Sequence, residues 1–342
     1  MNNLLAMQYL ENYNRQTKVL LRNYFKDKIK NAQKIGNLPG EVLNEFALIA
    51  ERGKKIRGSL VVLGYQLAGG RDLSSIYDAS LFIEIFHSGI LVHDDIMDQD
   101  MLRRGLTTLH VKLGTSLAIC AGDMAFYLAW EKLLNSRFPK DRLIKASRLY
   151  SEYVIRLIQG QILDVDNISL NQLSNRNILN IFKYKTAEYS GALPLLIGAI
   201  LGGTKDESRL ERLKEYGISL GWAFQIKDYL LGLYGHKEKT GKSIASDLRG
   251  GKITLLIYYA LKHGNMVEKK FIKSVLGKKD ISESEIIKTQ RFFKEIGAYD
   301  YVVKMGQKYI ERGTKSISKI TKNKNLQEIL HSFLVYVMDR TS

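Results

Sequence analysis

LFIEIFHSGILVHDDIMDQDMLRRG, residues 81–105, decides the reading of the whole chain. Up to His93 the run is almost entirely apolar, which fits a helix passing through a core rather than along a surface. Asp94 and Asp98 are four apart, so on a helix both carboxylates project from one face. Like charges at that spacing repel unless a cation lies between them. Solvated helices often carry such pairs, but here an apolar run delivers them to an interior cavity. Carboxylates without imidazole or thiolate partners suit a hard ion such as Mg²⁺, which keeps most of its waters and bridges to phosphate oxygens. Five residues past Asp98 come Arg103 and Arg104, whose planar donor forks match phosphate. The stretch therefore offers an anion two kinds of contact, one bridged by metal and one direct. His87 and His93, on the same apolar run, read first as satisfied core residues and only second as ligands.

Outward from this stretch, helical periodicity dominates. Helices are expected near residues 3–33, 41–68, 75–101, 115–135, 139–165, 176–201, 208–234, 251–263, 266–276, 282–296, 299–319 and 325–338. Strand alternation is absent, and the chain holds only three Pro. No long linker or internal repeat interrupts it, so residues 1–342 read as one large all-α domain. Gly191–Gly203 is the most apolar segment, too short and Gly-rich to span a bilayer. The N-terminus lacks the pattern of a signal peptide, and a single cysteine, Cys120, fits a reducing cytoplasm.

Charge is lopsided. With 52 Lys and Arg against 35 Asp and Glu, the chain carries +17 and calls for an anionic partner: nucleic acid, a membrane surface or a phosphorylated substrate. Residues 261–342 hold 17 of the cations and nine of the acids. No zinc spacing, RNP-like pattern or helix-turn-helix signal points to nucleic acid, so this quarter reads first as a solvated basic face.

HDDIMDQDMLRRG resembles the first aspartate-rich motif of the trans-isoprenyl diphosphate synthases, the polyprenyl synthetase family. RGKKIRG at 52–58 is similar to the family's GGKxxRP, with Arg52 and Gly58 replacing the usual Gly and Pro. AGDMAF at 121–126, GQILD at 160–164 and KTAEY at 185–189 follow in order. FQIKDYLLGLYG and TGKSIASDLRGGKITLL, within 224–256, resemble the second aspartate-rich region and its downstream loop. The resemblance implies an isoprenoid synthase-type helical bundle around a central cavity. It implies a geranylgeranyl diphosphate synthase-like prenyltransferase and a cytoplasmic homodimer.

The resemblance also assigns roles. Asp94, Asp95, Asp98 and Asp228 would hold Mg²⁺, up to three ions, on an allylic diphosphate (dimethylallyl, geranyl or farnesyl). Arg103, Lys185, Lys242 and Lys252 would add direct positive charge. Lys54, Arg57, His87 and Arg104 would bind isopentenyl diphosphate. Thr186 and Gln225 would turn negative dipole ends toward the allylic cation. The Gly-rich segment 241–251 reads as a lid. Where relatives carry a bulky gate five residues before Asp94, this chain has Gly89, after Ser88 and Phe86. That favours a C20 or longer product, with Phe126 and Tyr127 as possible tunnel floor. These assignments leave nucleic acid unneeded and any membrane contact peripheral.

The second acidic region departs from its relatives. Asp228 is kept, but Tyr229 replaces the second Asp, Gly232 the third, and His236 a further one. Either Asp228 suffices, or the chain is a weakly active or non-catalytic subunit of a hetero-oligomeric synthase. A class I terpene cyclase shares the helices and the DDxxD, but would lack Lys54, Arg57 and Arg104.

Overall fold

The computed structural model of the protein describes residues 3–165, 174–235 and 245–339. The quoted motifs fall within these residues except for residues 236–244, which hold His236, Lys242 and the first part of the expected lid and lie outside them. The described residues are all-α apart from one small hairpin, and they form two compact units.

The first unit comprises Leu4–Ser151 with Leu193–Leu213. Its helices are α1 (Leu4–Gln33), α2 (Asn37–Glu51), α3 (Ile56–Leu67), α4 (Leu73–Asp98), α5 (Leu109–Leu113), α6 (Thr115–Leu134), the start of α7 (Lys140–Val165), and α9 (Leu193–Leu201). Helix α4 is buried nearly all round from Ile76 to Gly89 and packs chiefly on α6. Each fully buried Leu, Ile or Phe there contributes about 1.5–3 kcal/mol. Asp72 starts the helix by accepting from Ser75 N at 3.1 Å, and Gln99 ends it in the left-handed conformation. Helices α3 and α9 meet backbone to backbone, since a Cβ at Gly198 would stand 1.9 Å from the Val61 carbonyl oxygen.

Helix α4 is the one described helix long and apolar enough to cross a bilayer, and 67% of its most apolar window is buried in the protein. Burial on that scale belongs to a core helix.

The second unit comprises Met1–Asn3, Glu152–Ala192 and Lys214–Ser342 over their described residues. It contains the end of α7, α8 (Asn175–Ile181), a π-helical stretch (Phe182–Ala192), most of α10 (Glu207–Tyr234), α11 (Ser246–Arg249), α12 (Leu255–His263), α13 (Met266–Val275), α14 (Glu283–Glu295), α15 (Ala298–Ile320) and α16 (Lys324–Asp339). Its core gathers Ile178, Phe182, Trp222, Ile226, Leu256, Ile272 and Phe293. Trp222 stacks on Tyr309 with ring centroids 4.8 Å apart.

Three local features differ from the sequence reading. The helix expected over 41–68 is two helices, because Gly53 and Lys55 have φ of 105° and 52° and no helix continues through them. The helix expected over 176–201 widens into π geometry across Phe182–Ala192, a form concentrated at functional sites. Two-residue strands, Leu102–Arg103 and Leu106–Thr107, pair antiparallel where the periodicity showed no strand.

Candidate active site

In the first unit the acids sit in the last turns of α4. Asp94 and Asp98 are half-buried, whereas Asp95 is buried. Neighbouring residues on a helix diverge by about 100°, so Asp95 turns away from the other two. Its carboxylate accepts from Arg103 Nε at 2.6 Å, and the same guanidinium donates through Nη2 to Asp100 at 2.9 Å. Burial acts to lower the Arg103 pKa, but Asp95, then Asp100 and Asp94, raise it above the ordinary arginine value. Arg103 is thus fixed by the acids on either side of it.

Arg103 opens a two-residue turn. Arg104 and Gly105 both have positive φ, 53° and 74°, the pattern of a type I′ hairpin. Glycine takes this freely, but arginine there costs about 1–2 kcal/mol. The strain is offset by anchoring: Arg104 Nη1 donates to the carbonyls of Ile49 at 2.9 Å and Arg52 at 2.6 Å. Thr108 Oγ1 donates to the Asp100 carbonyl at 2.8 Å and ties the hairpin's far end to the end of α4.

These anchors bring the hairpin to the loop between α2 and α3, which carries Lys54 and Lys55, and to Arg57 at the start of α3. Lys55 is buried, donates to the Ala50 carbonyl at 2.7 Å, and has its pKa pulled down to about 8, chiefly by burial. Arg104 is pulled down to about 10, again chiefly by burial. His87 falls well below its usual value because of burial first, then the charges of Arg57, Arg104, Arg103 and Lys55. A neutral imidazole ringed by four cations is an anion-seeking arrangement. Glu84, a buried acid that the sequence reading passed over, interacts with Lys55 and Arg104 and accepts from Gly58 N at 2.7 Å.

Deeper along α4, Phe86 lies 5.1 Å from Phe126 and 5.2 Å from Tyr150, ring to ring. A Cβ at Gly89 would stand 2.8 Å from that of Ala125 and 3.1 Å from the Phe126 ring. Tyr127 is 79% exposed and takes no part in this cluster, since the next residue on a helix points elsewhere.

In the second unit, Lys185 and Thr186 lie on the π-helical stretch. Lys185 Nζ donates to Asp164 Oδ2 at 2.5 Å, and Thr186 is buried. Glu188, three residues on, is paired with Arg156 at 3.2 Å and Lys183 at 3.7 Å. Gln225, Asp228 and Tyr229 come from α10. The Tyr229 ring packs on Phe182 at 5.2 Å, and its side chain bonds that of Gln225. Burial raises the Tyr229 pKa most, and the carboxylates of Asp164, Asp247 and Asp228 raise it further. The phenol therefore stays neutral among three acids. Asp247 belongs to α11, whose lead-in Ala245 N donates to the Gly232 carbonyl at 2.9 Å. Lys252 N donates to the Asp247 carbonyl at 2.9 Å. Asp164 and Asp247 stand inside quoted motifs, but only folding reveals that they surround Tyr229.

Among the described residues no three His, Cys, Asp or Glu side chains form a metal cage. The donor set fits Mg²⁺ all the same, because that ion is usually held by one or two carboxylates, waters and substrate phosphates rather than by protein alone. Asp94 and Asp98 in the first unit, and Asp228 in the second, are half-buried carboxylates of the kind such an ion takes, and when bound it would neutralise diphosphate charge.

An all-α framework with carboxylates at a helix end, beside a shelf of cations, is of the isoprenoid-synthase type. The chain belongs to the polyprenyl synthetase family, whose profile matches residues 42–292, and it is a trans-prenyltransferase. It is 31% identical over 312 residues to the geranylgeranyl diphosphate synthase of Sulfolobus acidocaldarius, covering 89% of this chain and 93% of that protein. It is 32% identical to the geranylfarnesyl diphosphate synthase of Aeropyrum pernix, covering 86% and 92%. The crystal structure of geranylgeranyl pyrophosphate synthase from Corynebacterium glutamicum, complexed with isoprenyl diphosphate and magnesium, superposes with a TM-score of 0.91. Identity there is 26%, over 97% of this chain and 99% of that one.

Proposed function

We propose that the protein condenses isopentenyl diphosphate with an allylic diphosphate, head to tail and trans, to give a product of C20 or longer. The observation that carries this is the cation-ringed His87 in the same unit as Asp94 and Asp98. One unit then offers both a metal-assisted and a metal-free anion contact, as a two-diphosphate reaction requires.

Arg57, His87 and Arg104, with Lys54 from the adjoining loop, bind the diphosphate of isopentenyl diphosphate. This fixes its double bond in position to attack. Asp94, Asp98 and Asp228 would hold Mg²⁺, up to three ions, which would neutralise charge on the allylic diphosphate. Lys185, Lys242 and Lys252 add charge to the leaving group, and Arg103 does so from its clamp between Asp95 and Asp100. Asp95 serves that clamp in preference to binding metal. Thr186 and Gln225 orient negative dipole ends toward the allylic cation. The bond from allylic carbon to diphosphate oxygen breaks, the new carbon–carbon bond forms, and the departing diphosphate takes the released proton. Residues 245–251, which include Asp247, are the part of the expected lid that the described residues cover.

Incubation with isopentenyl diphosphate, farnesyl diphosphate and Mg²⁺, followed by product sizing, tests the reading. Elongation to C20 or beyond is expected, and failure to elongate any of the three allylic primers while binding them overturns it. Phe126 forms the floor beneath Gly89, so Phe126→Ala lengthens the main product by at least one isoprene unit in the same assay.

The protein acts in the cytoplasm as a homodimer on small-molecule substrates, without nucleic acid. The exposed stripes Ile119, Tyr127 and Trp130 on α6, and Ile144, Ile155, Ile158 and Ile162 on α7, support a second copy as their cover. Ile158→Asp then shifts the sedimentation coefficient to that of a monomer.

A further inference from the structure

Helix α13 carries a surface that prenyl transfer does not use. Its buried side is Ile272 and Val275. Its first turn presents Met266 and Val267 to solvent at 87% and 72% exposure, and Met266 is the most exposed large apolar residue described. Met266, Lys270 and Lys273 recur at four and three residues, so they share one helix face, with Val267 adjoining Lys270. Lys269 Nζ, on the same helix, donates to the Lys262 carbonyl at 3.2 Å, which ties the lysine-bearing end of α12 to α13.

The charge of this surface is one-sided. Residues 262–279 contain six Lys and one Glu. That Glu268 closes a capping box with Asn265, accepting from Asn265 N at 2.7 Å, so its charge is engaged at the helix N-terminus. A basic face kept only for solubility has no use for two bare apolar side chains at its crest.

The geometry points to α13 as a docking site for an anionic lipid surface. Met266 and Val267 enter the boundary between headgroups and acyl chains while Lys262, Lys269, Lys270 and Lys273 meet lipid phosphates. A bilayer suits the pair better than nucleic acid, because a phosphate backbone attracts the lysines but gives the apolar tips nothing to enter. The far end of the same helix adjoins the segment bearing Asp247 and Lys252: Gly277 N donates to the Leu248 carbonyl at 2.7 Å. Ten helical residues span about 15 Å. A lipid-bound α13 therefore holds that segment close to the phase into which a long polyprenyl product dissolves. The docking itself rests on the surface alone; only its use rests on the proposed reaction.

Co-sedimentation of the full chain with vesicles, without substrate, tests it apart from any activity. Vesicles of equal parts phosphatidylglycerol and phosphatidylcholine are expected to carry the protein down, and phosphatidylcholine vesicles are not. Combining Met266→Asp with Val267→Asp lowers the bound fraction about tenfold. Combining Lys270→Glu with Lys273→Glu does the same. Both double variants keep the circular dichroism and the vesicle-free turnover of the parent. A Met266→Trp variant shows a blue-shifted emission component on anionic vesicles only. The inference is overturned if the parent does not sediment, or if both double variants sediment undiminished. Binding to duplex DNA that matches vesicle binding and ignores the Met266 and Val267 changes also overturns it.

Discussion

The end of α4 and the acidic stretch of α10 place carboxylates on similar helical frames, yet they are built differently. On α4 the chemistry is local: Asp94, Asp95, Asp98, Asp100 and Arg103 lie within ten residues, and Arg103 absorbs the charge that would otherwise accumulate. On α10 the acids around Tyr229 come from three separated places, Asp164, Asp228 and Asp247. Of these, Asp164 accepts from Lys185 Nζ at 2.5 Å. A second aspartate at position 229 would add a fourth carboxylate to that group. The phenol fills the space, bonds Gln225 and adds no charge. The departure at 229 thus fits a unit whose acids arrive from elsewhere in the chain.

The comparison breaks first at the acids proposed to hold Mg²⁺. Asp94→Asn is expected to lower kcat/KM about 10³-fold and Asp228→Asn about 10²-fold; steady-state kinetics at saturating Mg²⁺ decides, and equal losses would erase the distinction. Next comes the clamp. Arg103→Gln strands the buried Asp95 carboxylate, which costs about 3–5 kcal/mol. Thermal melting measures it, and adding Asp95→Asn recovers most of the loss. Tyr229→Phe removes a hydrogen bond worth about 1 kcal/mol and slows turnover about fivefold. Tyr229→Asp lowers melting temperature without Mg²⁺ and raises Mg²⁺ affinity, read by calorimetry.

The smallest effect concerns pH. Lys55 titrates near 8, so raising pH through 8 removes one cation from the His87 shelf and raises the KM for isopentenyl diphosphate a few-fold. Lys55→Met abolishes that inflection. For stability the sign is reversed. Between about 8 and 10.5 the unfolded chain holds a proton at Lys55 that the folded chain has lost. The cost of burying that charge is therefore full below pH 8 and relieved as pH rises through this window.

How much was legible beforehand follows the same division. The α4 end was readable because its parts are contiguous: periodicity gave the helix, spacing gave the face shared by Asp94 and Asp98, and residue type gave the phosphate preference. Even there the role of Asp95 was hidden, since its pairing with Arg103 depends on a hairpin whose arginine adopts positive φ against its own preference. The π-helical stretch under Lys185 and Thr186 was invisible, because an extra residue per turn leaves no mark on a short apolar pattern. Tyr127 was paired with Phe126 by adjacency alone, and helix geometry turns it to solvent. Asp164 and Asp247 became neighbours of Tyr229 only through tertiary packing.

Position 58 shows what such departures mean for anyone wishing to redesign this chain. The motif that residues 52–58 resemble has proline there, and an engineer guided by that motif would restore it. Proline has no N–H, so Glu84 would lose the donor that now satisfies it at 2.7 Å. Any Cβ at that site would also stand 2.0 Å from the Tyr13 hydroxyl, which is engaged with Ser80 at 2.9 Å. Tyr13, Gly58 and Glu84 thus form a mutually fitted set, and the substitution that looks most like repair is one the protein would tolerate least unless Tyr13 changed with it.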